Sequence, residues 1–154
     1  MQAAIWSISA RFRSVNNVDT KTLEKWITEK SSDASQQPVL IDCREKEEYD
    51  VSHLKAAQNI PASAPENEIE LALKEFTAGQ KGIYRSCETA QKIKKLIDAG
   101  KLNPVEVYNL EGSIFKWANE GRAIVDNGDS PAKLVHPFNA VFGKLLNADL
   151  RKSI

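Results

Sequence analysis

The chain reads as an α/β protein: a central parallel sheet with helices on both faces. Three observations predict this. Short, continuous apolar runs, residues 39–41 above all, are bounded by polar residues, as in strands covered on both sides. Segments with apolar residues at helical spacing lie between these runs. Strands that alternate with helices build parallel crossover units, and no internal repeat or low-complexity tract breaks the alternation. The 154 residues are one domain's worth and can bury a core without metal or disulfide staples.

In chain order, residues 1–14 read as an arm or a short first strand. Asp19 or Thr20 can cap a helix by accepting a bond from a first-turn N–H. Leu23, Trp26 and Ile27 give that helix one apolar face. SSDASQQP is small, polar and closed by Pro38, a loop composition. Residues 39–41 form the buried strand, ending in Asp42, and EKEEYDVSHL follows as a polar helical turn region. AAQNIPA reads as a second short strand ended by Pro61. Residues 66–76 are helical, with Ile69, Leu73 and Phe76 on one face.

Ile83 and Tyr84 make a very short strand. Thr89 can start the next helix, with Ile93, Leu96 and Ile97 buried and Gly100 at its carboxyl end. The lysines of KIKKLIDAGK form its solvated face. VEVYNL alternates as a strand, and GSIFKWANEG is a helix holding Ile114, Phe115 and Trp117, stopped by Gly121. Beyond a loop punctuated by Gly and Pro, Phe138, Val141, Phe142, Leu145 and Leu146 form a short apolar helix face.

Lys plus Arg number 21 and Asp plus Glu number 21, so the net charge is zero. No bulk attraction to nucleic acid or to an anionic membrane follows, and neither is expected as a partner. No stretch reaches the roughly 20 apolar residues of a membrane helix. The first residues lack the basic leader and long apolar run of a secretory signal. The two cysteines, Cys43 and Cys87, show no CxxC and no Cys/His cluster, so neither a metal site nor a cofactor is expected. Reduced thiols in a charged chain fit a cytoplasmic compartment.

LIDCRE, followed by EY, SH, A and NIP, resembles the first signature of rhodanese-like domains. The matching residues are Asp42, Arg44, Glu45, Tyr49, His53, Ala57, Asn59, Ile60 and Pro61. The departures are Ser52 and Ala56, where glycines are usual, and Lys55, where proline is usual. YNLEGSIFKWANEG resembles the family's late strand, turn and helix, and VHPFNAVFGKLL resembles the carboxyl-terminal extension of some single-domain members. The resemblance covers residues 15–147 and implies the rhodanese-like α/β fold. It divides the chain into an arm (1–14), the domain (15–128) and an extension packing on it (129–154).

The family's activity implies a cysteine at the end of a central strand. It opens a loop of roughly six residues whose backbone N–H groups cradle a persulfide beside a helix amino end. The usual pattern is an apolar strand, Cys-x-x-Gly-Tyr-Arg-Ser, then the helix. KEFTAGQKGIYRSCETAQKI departs from it, and three readings stand open. In one, Tyr84, Arg85 and Ser86 end the loop, and Gln80 stands where the cysteine belongs. In another, GIYRS is the strand and Cys87 is the catalytic cysteine, with little loop before the helix. In the third, the chain has lost roughly ten residues that would hold a strand and the cysteine.

The resemblance thus makes Cys87 the candidate nucleophile, with Arg85 and Ser86 as candidate binding groups for a small sulfur-containing anion such as thiosulfate; a protein thiol is the other implied partner. The implied chemistry is sulfane-sulfur transfer through a cysteine persulfide. The other reading is a non-catalytic rhodanese-homology module that binds an anion or a protein. Asp42 and Arg44 read as charged hydrogen-bonding support for the strand end and its loop. Cys43 reads as a small buried hydrophobe. His53 and His136 read as structural, without a partner arrangement for activating a thiol. In the related phosphatase class the cysteine loop is one residue longer and ends in Arg; this chain offers a shorter loop, so that chemistry is set aside.

Overall fold

The computed structural model describes residues 15–29, 37–74, 81–84, 87–103 and 105–154, with Lys81, Tyr84, Cys87 and Glu88 described by backbone alone. The arm at 1–14, Phe76, Gln80, Arg85 and Ser86 lie outside the described residues. The elements alternate as expected. They are β1 (Asn16–Val18), α1 (Thr20–Thr28), β2 (Val39–Asp42), α2 (Lys46–Val51), β3 (Gln58–Asn59) and α3 (Glu66–Leu73). After these come β4 (Lys81–Tyr84), α4 (Cys87–Asp98), β5 (Glu106–Leu110) and α5 (Ser113–Asn119).

The five strands form one parallel sheet in the order β1-β5-β4-β2-β3. The strand period of two sends neighbouring residues to opposite faces. Leu40, Ile83 and Leu110 face a core with Leu23, Ile114, Phe115 and Trp117, so α1 and α5 cover that side. Ile41 and Val107 face the other core, with Ile69, Leu73, Ala90, Ile93 and Leu96 of α3 and α4. Helices therefore cover both faces of the sheet.

Beyond α5, β6 (Ile124–Val125) and β7 (Pro131–Ala132) pair antiparallel. His53 bridges to Val125, with each backbone N–H donating to the other residue's carbonyl at 2.9 Å. Two short 3-10 turns end the chain, Phe142–Leu145 and Ala148–Leu150. Val135 and Leu146 are buried in the α1/α5 core. Asn119 fastens this segment: its amide donates to Leu145 O at 2.8 Å, and its Oδ1 accepts from Asn147 N at 2.8 Å.

Several expectations are corrected. Asp19, rather than Thr20, caps α1, its carboxylate accepting from Thr22 N at 2.6 Å. Thr20 instead donates to the Glu120 carboxylate at 2.8 Å, joining α1 to the end of α5. Ile27 is exposed, because Leu23 and Trp26 already fill the line of contact with the sheet. β4 begins two residues before Ile83: Lys81 and Gly82 pair with Glu106 and Val107. A central strand is held by ladders on both sides, and this overrides weak local propensity. α4 begins at Cys87, two residues before Thr89, so Thr89 sits inside its first turn. Phe138, Val141 and Phe142 do not form a buried helix face; they are exposed, and Leu146 makes the anchor.

Candidate functional site

Ligands of parallel sheets bind beyond the carboxyl ends of the strands. In this sheet β4 is the middle strand, and its carboxyl end leads through Arg85 and Ser86 to Cys87. β2 runs beside it, with Ile41 in register with Tyr84, and delivers Asp42, Cys43 and Arg44 to the same end of the sheet.

Asp42 and Arg44 are spent on each other and on the backbone. Arg44 Nε donates to both Asp42 oxygens, at 3.0 and 3.1 Å, and Nη2 reaches Oδ2 at 2.7 Å. Nη1 donates to Glu48 O at 3.3 Å, and Nη2 also donates to Ser52 O. The Arg44 backbone N–H adds a 3.1 Å bond to Asp42 Oδ1. The Arg44 side chain is fully buried. A guanidinium so enclosed ties β2 to both ends of α2 and has no face left for a substrate.

The rest of the first signature continues this frame. Asn59 donates to Asp42 O at 3.0 Å and to Arg44 O at 2.8 Å, locking β3 against the turn after β2. Tyr49 OH donates to Ala57 O at 2.8 Å. Burial first, then the charge of Asp42, raises the Tyr49 phenol above its usual range, so it stays a donor at neutral pH. The His53 ring stacks on Tyr49 at 3.7 Å, with Nδ1 2.9 Å from Tyr49 O. His136 Nδ1 accepts from Phe138 N at 3.1 Å. Both histidines are thus engaged locally. Cys43 is a buried thiol within the α3/α4 core.

At the opposite end of the motif map, the second signature makes the α5 clamp. Trp117 Nε1 donates to Ala123 O at 2.9 Å, and Arg122 lies 5.7 Å over the same ring. Arg122 pairs with Glu24 and, at 3.1 Å, with Glu120.

The nucleophile position is the point of departure. Residues 81–84 are strand, so Tyr84 is not a loop residue, while Gln80 lies outside the described residues. Only Arg85 and Ser86 separate β4 from α4, and Cys87 is the first helical residue. Thr89, in the same first turn, buries a hydroxyl with no hydrogen-bond partner among the described residues. The sequence suggested Thr89 as a helix starter but carried no signal for that orphan. An apolar cleft lined by Leu40, Ile41, Leu54, Ala57, Ile83, Leu110 and Ile114 also opens near Asp42. Among the described residues no group of His, Cys, Asp and Glu side chains is arranged to hold a metal ion.

Comparison with known proteins agrees with this geometry. The family model for the rhodanese-like domain matches residues 20–120. No curated protein sequence matches the chain. Among solved structures, the BH2092 protein of Bacillus halodurans is similar at 20% identity and a TM-score of 0.58, over 86% of this chain and 91% of that one. Yeast Ygr203w, described as a protein tyrosine phosphatase of the rhodanese family, is similar at 19% identity and a TM-score of 0.54, over 67% of this chain and 83% of that one. A thiosulfate sulfurtransferase of Pseudomonas aeruginosa shares 14% identity at a TM-score of 0.55; 93% of this chain aligns with 25% of that one. At such identities these likenesses establish the fold.

Proposed function

Because the chain belongs to the rhodanese-like domain family, we propose that it is a rhodanese-homology module that binds a small anion at the carboxyl end of its sheet without carrying sulfur on a cysteine. The observation supporting this reading is the connection of two residues between β4 and α4. A persulfide cradle needs several backbone N–H groups converging on the sulfur ahead of the helix. Here Cys87 already belongs to α4, and the residues after it are committed to helical geometry. A bound anion asks for less. The first-turn N–H groups of a twelve-residue helix attract negative charge, and Arg85 and Ser86 would add a guanidinium and a hydroxyl. Asp42 and Arg44 serve that site by fixing the end of β2. A cytoplasmic setting belongs to the same proposal. For the described residues the supporting fact is narrower: no helix is long and apolar enough to cross a membrane.

Incubation with thiosulfate, followed by thermal unfolding and intact mass, tests the reading. The expected result is a melting temperature that rises with thiosulfate concentration, a smaller rise in Arg85→Ala, and no mass change after desalting. An unmoved melting temperature rejects anion binding. A mass gain of one sulfur atom, lost in Cys87→Ser, rejects the non-catalytic reading.

That last outcome would favour a second reading, sulfane-sulfur transfer through Cys87. The observation in its favour is topological: Cys87 follows the carboxyl end of the middle strand and opens a helix, where a thiol's pKa falls. The thiolate would attack the outer sulfur of thiosulfate and release sulfite. The persulfide would then pass its sulfur to cyanide or to a protein thiol.

A further inference from the structure

We propose that the exposed apolar turn at residues 138–142 docks this protein on an anionic membrane surface. Phe138, Val141 and Phe142 are 52%, 73% and 45% exposed. The two phenyl rings pack edge to face, with centroids 5.6 Å apart. The turn beneath them is built. Asn139 Oδ1 accepts from Val141 N and Phe142 N, each at 2.9 Å, and Gly143 N donates to Asn139 O at 2.8 Å. Gly143 is buried so tightly that a Cβ there would lie 2.8 Å from Pro137 Cβ. Phe138 holds a left-handed φ of 65°, a conformation that is strained for a residue with a β-carbon. Buried Val135 and Leu146 anchor the segment on either side. Three large apolar side chains are thus held in solvent on an ordered support.

Charge and area select the occupant. Residues 133–154 hold four basic side chains (Lys133, Lys144, Arg151 and Lys152) and one acidic, Asp149, although the whole chain balances 21 against 21. Asp149 pairs with Lys133 at 3.7 Å, which leaves Lys144, Arg151 and Lys152 without an acidic counterpart in the segment. Lys144 is exposed two residues after Phe142. A positive apolar turn complements a negative apolar surface. The three side chains present about 300 Å² of apolar area. A stable protein interface takes about 800 Å² from each partner, so a second copy or a folded partner would find too little here. A bilayer asks only for a few apolar side chains at the acyl boundary and basic residues among the headgroups. The zero net charge of the chain conceals this local imbalance.

Co-sedimentation with phosphatidylcholine vesicles, with and without about one third phosphatidylserine, tests the proposal on the full chain. Binding is expected to the anionic vesicles and to weaken with added salt. Replacing Phe138, Val141 and Phe142 together by Ser is expected to lower partitioning about a hundredfold. Val141→Ser alone, which removes the most exposed of the three, is expected to lower it about fivefold. Lys144→Glu is expected to lower it about tenfold. Leu71→Ser, at an exposed site on α3, is expected to leave it unchanged. Absence of binding by the unaltered chain overturns the proposal, as does an equal loss in Leu71→Ser. A dimer seen by light scattering that Val141→Ser dissolves would assign the face to a second copy and also overturn it.

Discussion

Replacing Arg44 by Leu should be among the most destabilising single changes available in this chain. Arg44 reaches Asp42 through Nε and Nη2, and also satisfies the carbonyls of Glu48 and Ser52. Leu keeps the backbone bond from residue 44 to Asp42 Oδ1 but strands the rest of a carboxylate whose side chain is 7% exposed. Breaking a buried pair by removing one partner costs about 3–5 kcal/mol, a large share of the roughly 5–15 kcal/mol that holds a domain folded. Urea unfolding measures it. With a slope of about 2 kcal/mol/M, the midpoint should fall by about 2 M. Removing both charges, in Asp42→Leu with Arg44→Leu, should cost less than the sum of the single changes, because no uncompensated charge remains. A single-change loss below about 1 kcal/mol would mean that the pair does not carry the end of β2.

Ala56 holds a φ of 64°, so Ala56→Gly should stabilise the fold by about 1 kcal/mol, read as a higher urea midpoint; a lower midpoint would refute the strain. Thr89→Val removes a buried hydroxyl that lacks a partner among the described residues. It should raise stability by about 1 kcal/mol, and a loss on thermal unfolding would show that the hydroxyl is satisfied. The Asp19 carboxyl is held below the usual carboxylate range, first by the backbone bond from Thr22. A depressed carboxyl adds stability above the unfolded pKa and loses it as pH falls through the folded one. Asp19→Ala should therefore cost about 1 kcal/mol at neutral pH, with the gap to the unaltered chain closing below about pH 4. A gap that persists in acid would contradict this.

The scaffold was legible where several residues act together. The alternation of apolar runs and helical faces led to the sheet, and the LIDCRE and NIP residues stand where the strand ends must be tied. Ala56 and Ser52 stood out as unusual before any geometry. Ala56 proves to hold the left-handed conformation that favours glycine, while Ser52 is extended and buries a hydroxyl without a partner among the described residues. The site was less legible. Whether Lys81 and Gly82 are strand depends on β2 and β5 on either side, and no local pattern encodes those neighbours. The start of α4 moved for the same reason, since the end of a central strand fixes where the helix can begin. The exposed turn misled in another way. Apolar content placed Phe138 and Phe142 on one helix face with Leu146, but an exposed large side chain carries no sequence mark that separates it from a core one.

The direct measurement of the central claim is thiocyanate formation from thiosulfate and cyanide by the purified chain. The account predicts a rate equal to that of the protein-free reaction, unchanged in Cys87→Ser. Turnover above that background that disappears in Cys87→Ser would contradict it, and would mean that the two-residue connection before α4 still leaves room for a working persulfide.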